Sequence, residues 1–186
     1  MMKLFAITPD NVNIDHLIAQ LPEIRKRGAT HLYLRQSGTS HEIRLLTDAS
    51  AFASIIPVVS HALYKRDQPG ICGVHYKSSE LNLLDQRLHA RPVITTVSTH
   101  SSAEARFALN AGADYVYVSP VYEPLSKHDE RQLFPHPDLR KLIALYGERI
   151  ILLGGITADR IKELADDLKG DFSVAGITYF FNNPSG

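Results

Sequence analysis

The sequence has one cysteine, no excess of either charge and no long apolar run. Because Cys72 has no second cysteine to pair with, a disulfide within the chain is excluded, and its neighbours Ile71 and Val74 predict a buried thiol rather than a catalytic one. The 20 lysines and arginines balance the 20 aspartates and glutamates. We therefore expect no nucleic-acid partner and no polybasic membrane contact, and a small molecule is the expected ligand.

No segment approaches the ~20 apolar residues of a membrane span, and the apolar run at residues 4–7 is shorter than a signal peptide requires. A cytoplasmic protein is therefore expected. The 186 residues can bury a full hydrophobic core but are few for two ordinary domains. We predict a single domain that spans residues 1–186.

Short uncharged segments rich in β-branched residues alternate with amphipathic helical segments along the whole chain. Seven helices are expected between and after the strands, among them residues 78–88, while residues 62–69 predict a short or distorted helix. Eight strands favour a closed (β/α)8 TIM barrel over an open flavodoxin-like sheet, which needs fewer strands. The barrel must be compact, because such barrels typically have about 250 residues. The predicted strands are residues 4–7, 31–34, 55–59, 73–76, 93–97, 115–118, 150–153 and 172–175.

The last helix of the barrel is predicted to be truncated, because residues 176–186 are too few for a strand end and a full helix. The apolar Tyr179-Phe180-Phe181 segment would cover the groove that this helix leaves. Alternatively, a second subunit would cover the groove in a homodimer, since an exposed apolar patch is costly.

Polar residues directly after the strands are expected to face one shared mouth of the barrel. Glycines follow strands seven and eight, where backbone N–H groups can approach an anion, so a phosphorylated ligand is expected. A simpler interpretation of Gly154-Gly155 is a strand-to-helix turn with Thr157 as the N-cap. The nine histidines show no convincing metal-ligand spacing. The residues predicted at the mouth are Thr8, Arg35, Gln36, Ser60, His61, His75, Lys77, Glu80, Ser98, His100, Lys127, Gly154, Gly155 and Gly176.

The chain resembles the thiamine phosphate synthase and thiazole tautomerase family over nearly its whole length. The family fold is an eight-stranded barrel. The resemblance implies an enzyme of thiamine biosynthesis that couples hydroxymethylpyrimidine pyrophosphate with thiazole phosphate, with Mg²⁺ and basic residues holding the pyrophosphate. The motifs that carry the resemblance are Tyr33-Leu34-Arg35, Gly73-Val74-His75, Val97-Ser98-Thr99-His100-Ser101, Gly112-Ala113-Asp114-Tyr115-Val116, Pro120-Val121-Tyr122, Ser126-Lys127, Gly154-Gly155-Ile156 and residues 174–177.

The resemblance also implies a role for each matching position. Arg35 and Lys127 would bind the pyrophosphate, and Ser98 would line the pyrimidine side. His61 is the fourth expected catalytic residue, not as a family match but because it could reach the mouth and take an acid/base role. The implied substrate-binding residues are Gly154, Gly155, Ile156, Gly176, Ile177 and His100.

Three motifs differ from the synthase pattern. The Arg-Glu-Lys motif reads Arg35-Gln36-Ser37, and the Asn-Asp pair, which supplies a Mg²⁺ ligand, reads Ser60-His61. The Gly-Gln-x-Asp motif reads Lys77-Ser78-Ser79-Glu80, which leaves Glu80 as the expected metal ligand.

Two alternative functions remain open from the sequence. A metal-independent thiazole phosphate tautomerase would need to move its acid/base role to His61 or His100, because Pro120 stands at the position of the tautomerase histidine. A non-catalytic paralogue would only bind thiazole phosphate or thiamine phosphate.

Overall fold

Eight short parallel strands form a closed sheet in the computed structural model, which describes residues 2–10, 12–35, 38–64, 70–86, 93–123 and 132–181. Each strand pairs with the next, and β8 pairs with β1, for example Phe5 with Ala175. The predicted (β/α)8 barrel is therefore confirmed. The strands are β1 (Leu4–Ile7), β2 (His31–Leu34), β3 (Ile56–Ser60), β4 (Gly73–Tyr76), β5 (Ile94–Thr99), β6 (Tyr115–Val118), β7 (Ile150–Leu152) and β8 (Ser173–Gly176).

Five α-helices and three 3₁₀ segments surround the strands in the described ranges. The prediction of an α-helix that starts at Ser78 was wrong, because the segment Ser78–Gln86 is a 3₁₀ helix. After β3, the expected short helix is the single 3₁₀ turn His61–Leu63. The α-helices are α1 (Ile14–Lys26), α2 (Ser40–Phe52), α3 (Ser102–Asn110), α4 (His136–Tyr146) and α5 (Ala158–Leu168), and a third 3₁₀ turn is Gly147–Arg149.

Helix boundaries follow local capping chemistry. Thr157 accepts a hydrogen bond from the Arg160 N–H at the start of α5, as the sequence predicts, and Ser101 does the same for α3. Helix α3 ends at Asn110 with Ala111 as its C-cap, and the next residue, Gly112, has φ +91°, a value that favours glycine. These caps fix where each helix returns the chain to the barrel.

Strand side chains alternate between the interior of the barrel and the surrounding helices. The Phe5 ring on β1 lies 5.7 Å from the Tyr117 ring on β6, a strand that is not its neighbour, so the contact passes through the interior. Alternate residues such as Ala6 and Leu32 pack instead with residues of α1 and α2. The inner apolar cluster consists of Phe5, Ile7, Tyr33, Val58, Tyr117, Ile151 and Ala175.

The segment after β8 covers the groove left by the short last element, as predicted. Phe180 and Phe181 are both 4% exposed and belong to the same cluster as Leu17 and Leu21 of α1. Their N–H groups donate to the Ile177 carbonyl, which makes a single turn. The described part of the chain thus closes this groove by itself.

The prediction of a buried Cys72 was wrong. Cys72 is exposed, and its thiol donates weakly to the Gly70 carbonyl. Ile71, its predecessor, takes the buried position at 2% exposure. Within the described ranges, no helix has both the length and the hydropathy that crossing a membrane requires.

Candidate active site

A cavity of about 360 Å³ opens at the carboxyl ends of the strands. This is the end at which barrels of this type bind their ligands. Four of the predicted catalytic or substrate-binding residues line the cavity: Arg35, Ser98, His100 and Ile177. His75 and Lys77, which the sequence also places at the mouth, belong to the lining as well. The full lining consists of Ile7, Tyr33, Arg35, His75, Lys77, Ser78, Ser79, Ser98, His100, Tyr117, Ser119, Leu153 and Ile177.

Other predicted site residues lie outside this lining. His61, Glu80, Gly154, Gly155, Ile156 and Gly176 are not part of it. The side chain of Ile156 is 4% exposed and packs in the outer core. Lys127, Gln36 and Ser37 lie outside the described residues. The roles assigned to these positions stay predictions.

Two residues that were not predicted from the sequence as site residues, Tyr33 and Tyr117, form much of the cavity floor. Side chains two residues apart on a strand point to the same face. Tyr33 precedes Arg35 by two residues, and Tyr117 precedes Ser119 by two. Counting back two residues from each polar residue at a strand end would have identified both tyrosines.

His75 anchors a buried hydrogen-bond network in the floor. Its Nδ1 atom lies 2.8 Å from Thr96 Oγ1, and its Nε2 atom lies 2.9 Å from Ser98 Oγ. Burial disfavours the charged imidazolium and lowers the pKa of His75 to about 3. The imidazole is therefore neutral near pH 7 and fixes the position of the Ser98 hydroxyl, as expected for an interior histidine.

The tyrosines add neutral groups to the same floor. The Tyr33 ring packs 4.2 Å from the His75 ring, and the Tyr117 ring meets His75 edge-on at 5.1 Å. Burial raises the pKa of both phenols above the usual range. Both hydroxyl groups therefore keep their protons at neutral pH and can act as donors.

Two cationic side chains stand at the rim above this neutral floor. Arg35 forms a two-contact ion pair with Asp10, in which Arg35 Nε lies 3.0 Å from Asp10 Oδ1. Both side chains are at least one third exposed, so solvent weakens the pair. Lys77, at the end of β4, also lines the cavity. The rim can therefore compensate the charge of an anionic group.

His61 and Glu80 face each other outside the cavity lining. His61 Nδ1 lies 3.8 Å from Glu80 Oε1, and the His61 ring stacks on Tyr76 with the centroids 4.6 Å apart. Glu80 Oε2 accepts a hydrogen bond from the Lys77 N–H at 2.8 Å. Glu80 thus helps to begin the 3₁₀ segment that follows β4.

The described residues do not fit a Mg²⁺ ion held by protein ligands. No three His, Cys, Asp or Glu side chains converge in the described ranges. Glu80 could supply one carboxylate, but a hydrogen bond and His61 already engage its oxygens, and a neutral imidazole is a poor ligand for this hard cation.

His100 lies at the end of β5 with a defined ring orientation. Its Nδ1 atom lies 2.9 Å from the Ser119 carbonyl oxygen, so Nδ1 carries the proton in the neutral ring. Its backbone N–H donates to Glu104 Oε2 at 2.7 Å. The first contact joins the ends of β5 and β6, the second joins the end of β5 to α3, and His100 lies in the cavity wall.

The Gly154-Gly155 turn brings bare backbone to the mouth. The two residues have φ +105° and +62°, in the region that favours glycine. A Cβ atom on Gly155 would lie 2.4 Å from the Glu123 carbonyl oxygen, so the loop after β6 packs directly on this turn. Within the described part of the chain, the N–H groups of Gly154, Gly155 and Ile177 donate no hydrogen bond. They remain available to an anion.

Arg160, in the first turn of α5, holds this turn in place. Its Nη1 atom donates to the Gly155 carbonyl at 2.6 Å, and its guanidinium lies 4.5 Å from the centre of the Tyr122 ring. The arginine thus joins the loops after β6 and β7 through a hydrogen bond and a cation–π contact.

Comparison with known proteins identifies the family. Residues 4–178 match the model of a family described as thiamine monophosphate synthase. The thiamine-phosphate synthase of Methanoregula boonei is 35% identical over 116 residues. The match covers 62% of this chain and only 53% of the length of that relative. The thiamine-phosphate synthase of Halalkalibacterium halodurans is 24% identical over 88% of this chain and 81% of its own.

Solved structures agree on the fold. A thiamine phosphate pyrophosphorylase from Pyrococcus furiosus superposes with a TM-score of 0.72 at 20% identity, covering 95% of this chain and 86% of its own. A 3-hexulose-6-phosphate synthase superposes with a TM-score of 0.61 at 17% identity, covering 99% and 95%. At these identities the structures establish the barrel alone, whereas the family match spans most of the sequence. The predicted family is confirmed: this chain belongs to the thiamine monophosphate synthase family.

Proposed function

We propose that this chain is a thiamine-phosphate synthase. It transfers the pyrimidinylmethyl group of hydroxymethylpyrimidine pyrophosphate to the ring nitrogen of thiazole phosphate. The methylene C–O bond breaks, pyrophosphate leaves with the electron pair, and a C–N bond forms to give thiamine phosphate. The family match supports this reaction and the expected transferase class over the tautomerase and the binding paralogue.

The observation that carries the proposal is the division of the cavity into a neutral floor and a cationic rim. His75, Tyr33 and Tyr117 surround the floor with neutral groups, which suit an uncharged heteroaromatic ring. Arg35 and Lys77 stand at the rim, where a pyrophosphate attached to that ring would lie. Fixed cations at the rim stabilise the negative charge that develops on the leaving group.

The thiazole phosphate has a matching anion site. The N–H groups of Gly154, Gly155 and Ile177 lie after β7 and β8, where barrels of this type bind phosphate. Ile177 also lines the cavity, so a phosphate near its N–H would leave the thiazole ring in the mouth. Ser98, fixed by His75, would contact the pyrimidine from the opposite wall.

Charge compensation in this proposal comes from Arg35, Lys77 and the predicted Lys127, and no step passes through a metal ion. His61 is proposed to support the mouth through its contact with Glu80. A cytoplasmic location and a homodimer stay predictions of the sequence.

The test is an assay of thiamine phosphate formation from both substrates with purified protein. Lys77→Ala should raise the KM for hydroxymethylpyrimidine pyrophosphate at least about tenfold, because a charged hydrogen bond contributes about 1.5–3 kcal/mol. The control Lys141→Ala changes an exposed lysine on α4, whose ion-pair partner is Asp138 on the same helix. Absence of product from the wild-type protein would reject the proposal, and equal KM values for both variants would reject the role of Lys77.

A further inference from the structure

The hydroxyl group of Tyr117 is buried in the cavity floor and has no partner among the residues that the structure describes. Tyr117 is 1% exposed, and its oxygen forms no hydrogen bond within the described part of the chain. The ring is held edge-on by His75 at 5.1 Å and by Phe5 at 5.7 Å. Leaving a buried hydroxyl unpaired costs free energy of folding, so such a group in a binding cavity calls for a ligand atom.

Neighbouring polar groups on the same face are satisfied by the protein itself. Tyr115, two residues earlier on β6, accepts a hydrogen bond from Lys3 at the opposite end of the barrel. Ser98 and Thr96 both bond to His75. Tyr117 differs from these residues because it meets aromatic and aliphatic side chains instead of a polar atom.

The surroundings of Tyr117 define the chemistry of its partner. The adjacent side chains in the inner cluster are apolar or aromatic, among them Ile7, Tyr33 and Ile151. An anion would be poorly placed here, because the cations Arg35 and Lys77 follow the strands at the rim. A flat, uncharged ring that carries a hydrogen-bond acceptor fits both the walls and the hydroxyl.

We propose that the Tyr117 hydroxyl donates a hydrogen bond to an acceptor atom of the pyrimidine ring and so determines which ring enters the cavity floor. This inference rests on the proposed function and adds the residue that recognises the ring. Tyr33 and His75 orient the ring by packing, and Tyr117 distinguishes a ring with an acceptor from an apolar ring of the same shape.

The experiment uses Tyr117→Phe, which removes only the oxygen, and Tyr115→Phe as the matched control on the same strand. Calorimetry measures the binding of two probes, the unphosphorylated aminopyrimidine alcohol and inorganic pyrophosphate. Tyr117→Phe should raise the Kd of the alcohol about tenfold and leave the Kd of pyrophosphate within about twofold of the wild-type value. Because the Tyr117 hydroxyl has no hydrogen-bond partner among the described residues, the melting temperature of Tyr117→Phe should stay equal to that of the wild type or rise.

Tyr115→Phe should give the opposite pattern, with a lower melting temperature and unchanged binding of both probes. The inference would be overturned if Tyr117→Phe bound the alcohol as tightly as the wild-type protein does. It would also be overturned if the variant lost the same affinity for both probes, or if the wild-type protein did not bind the alcohol. The coupling assay separates the two proposals. If the wild-type protein forms no thiamine phosphate but Tyr117→Phe still has a lower affinity for the alcohol than the wild type, the proposed function fails and the inference stands.

Discussion

Replacing Gly155 with alanine should damage both the stability of the protein and the proposed thiazole phosphate site. The new Cβ would lie 2.4 Å from the Glu123 carbonyl oxygen, 2.7 Å from Arg160 Nη1 and 2.8 Å from Tyr122 Cβ. Positive φ in a non-glycine residue costs about 1–2 kcal/mol. Overpacking against backbone adds about 1–3 kcal/mol. The two costs together predict a loss of about 2–5 kcal/mol in the free energy of unfolding.

The matched control is Gly147→Ala. Gly147 also has positive φ, +56°, but its nearest contact for a Cβ is the Asp171 carbonyl oxygen at 4.0 Å. It lies before β7, at the end of the barrel opposite to Gly155. Because the ψ of Gly147, −134°, lies outside the left-handed helical region, this variant should lose only backbone strain energy, about 1–3 kcal/mol.

Urea unfolding measures the stability of both variants, and steady-state kinetics measures the KM for thiazole phosphate. Gly155→Ala should raise this KM at least about tenfold, because the displaced loop after β6 would disturb the N–H groups that are proposed to hold the phosphate. Gly147→Ala should leave the KM within about twofold of the wild-type value. If both variants lose equal stability and keep a normal KM, the packing of the two loops has no role in the site.

Two further predictions concern pH and metal ions. Burial lowers the pKa of His75 to about 3 and that of His31 to about 4. Below pH 6.5, the pKa of both groups in the unfolded chain, the unfolded chain therefore binds more protons than the folded protein. The free energy of unfolding falls as the pH drops from 6.5 towards the folded pKa values. In this window each histidine lowers the free energy of unfolding by about 1.4 kcal/mol per pH unit as the pH falls. His75→Gln should remove the contribution of one histidine from the pH dependence that urea unfolding measures between about pH 6 and 4. An unchanged pH dependence would show that His75 does not titrate as described. Titration of the protein with Mg²⁺ alone should give no binding heat at millimolar concentration, since Mg²⁺ held by few carboxylates also needs substrate phosphates. A Kd for Mg²⁺ below about 0.1 mM that is lost in Glu80→Gln would contradict the conclusion that Glu80 and His61 do not form a Mg²⁺ site.

Much of the barrel could be predicted from local sequence patterns. Eight uncharged segments with helical segments between them gave the strand count, and each strand matches its prediction within a few residues. The segment Ser78–Gln86 is a 3₁₀ helix and not the predicted α-helix. Its leucines pack against the core, while Glu80 closes a tight first turn by accepting a hydrogen bond from the Lys77 N–H. Cys72 differed because Ile71, not the cysteine, turns towards the core. Apolar composition near a strand does not specify which of two neighbouring residues points inward.

The candidate site was predicted in part. The rule that strand ends face the mouth identified Arg35, Ser98 and His100, because this rule depends only on strand direction. It did not identify Tyr117, whose position in the floor depends on the alternation of side chains deeper in the strand. It also could not anticipate that Asp10 pairs with Arg35, since 25 residues separate them and the loop after β1 brings them together.

The sequence by itself determined the strands, the caps, the glycine turn after β7 and the family motifs, because each depends on residues close in the chain. Only the tertiary structure decided that His75 bonds to both Thr96 and Ser98. It also decided that Tyr117 reaches across the interior to Phe5 and that its hydroxyl has no hydrogen-bond partner among the described residues. The physical reason is barrel closure. The register of eight strands sets which inward side chains meet, and that register follows from packing around the whole ring rather than from any single segment.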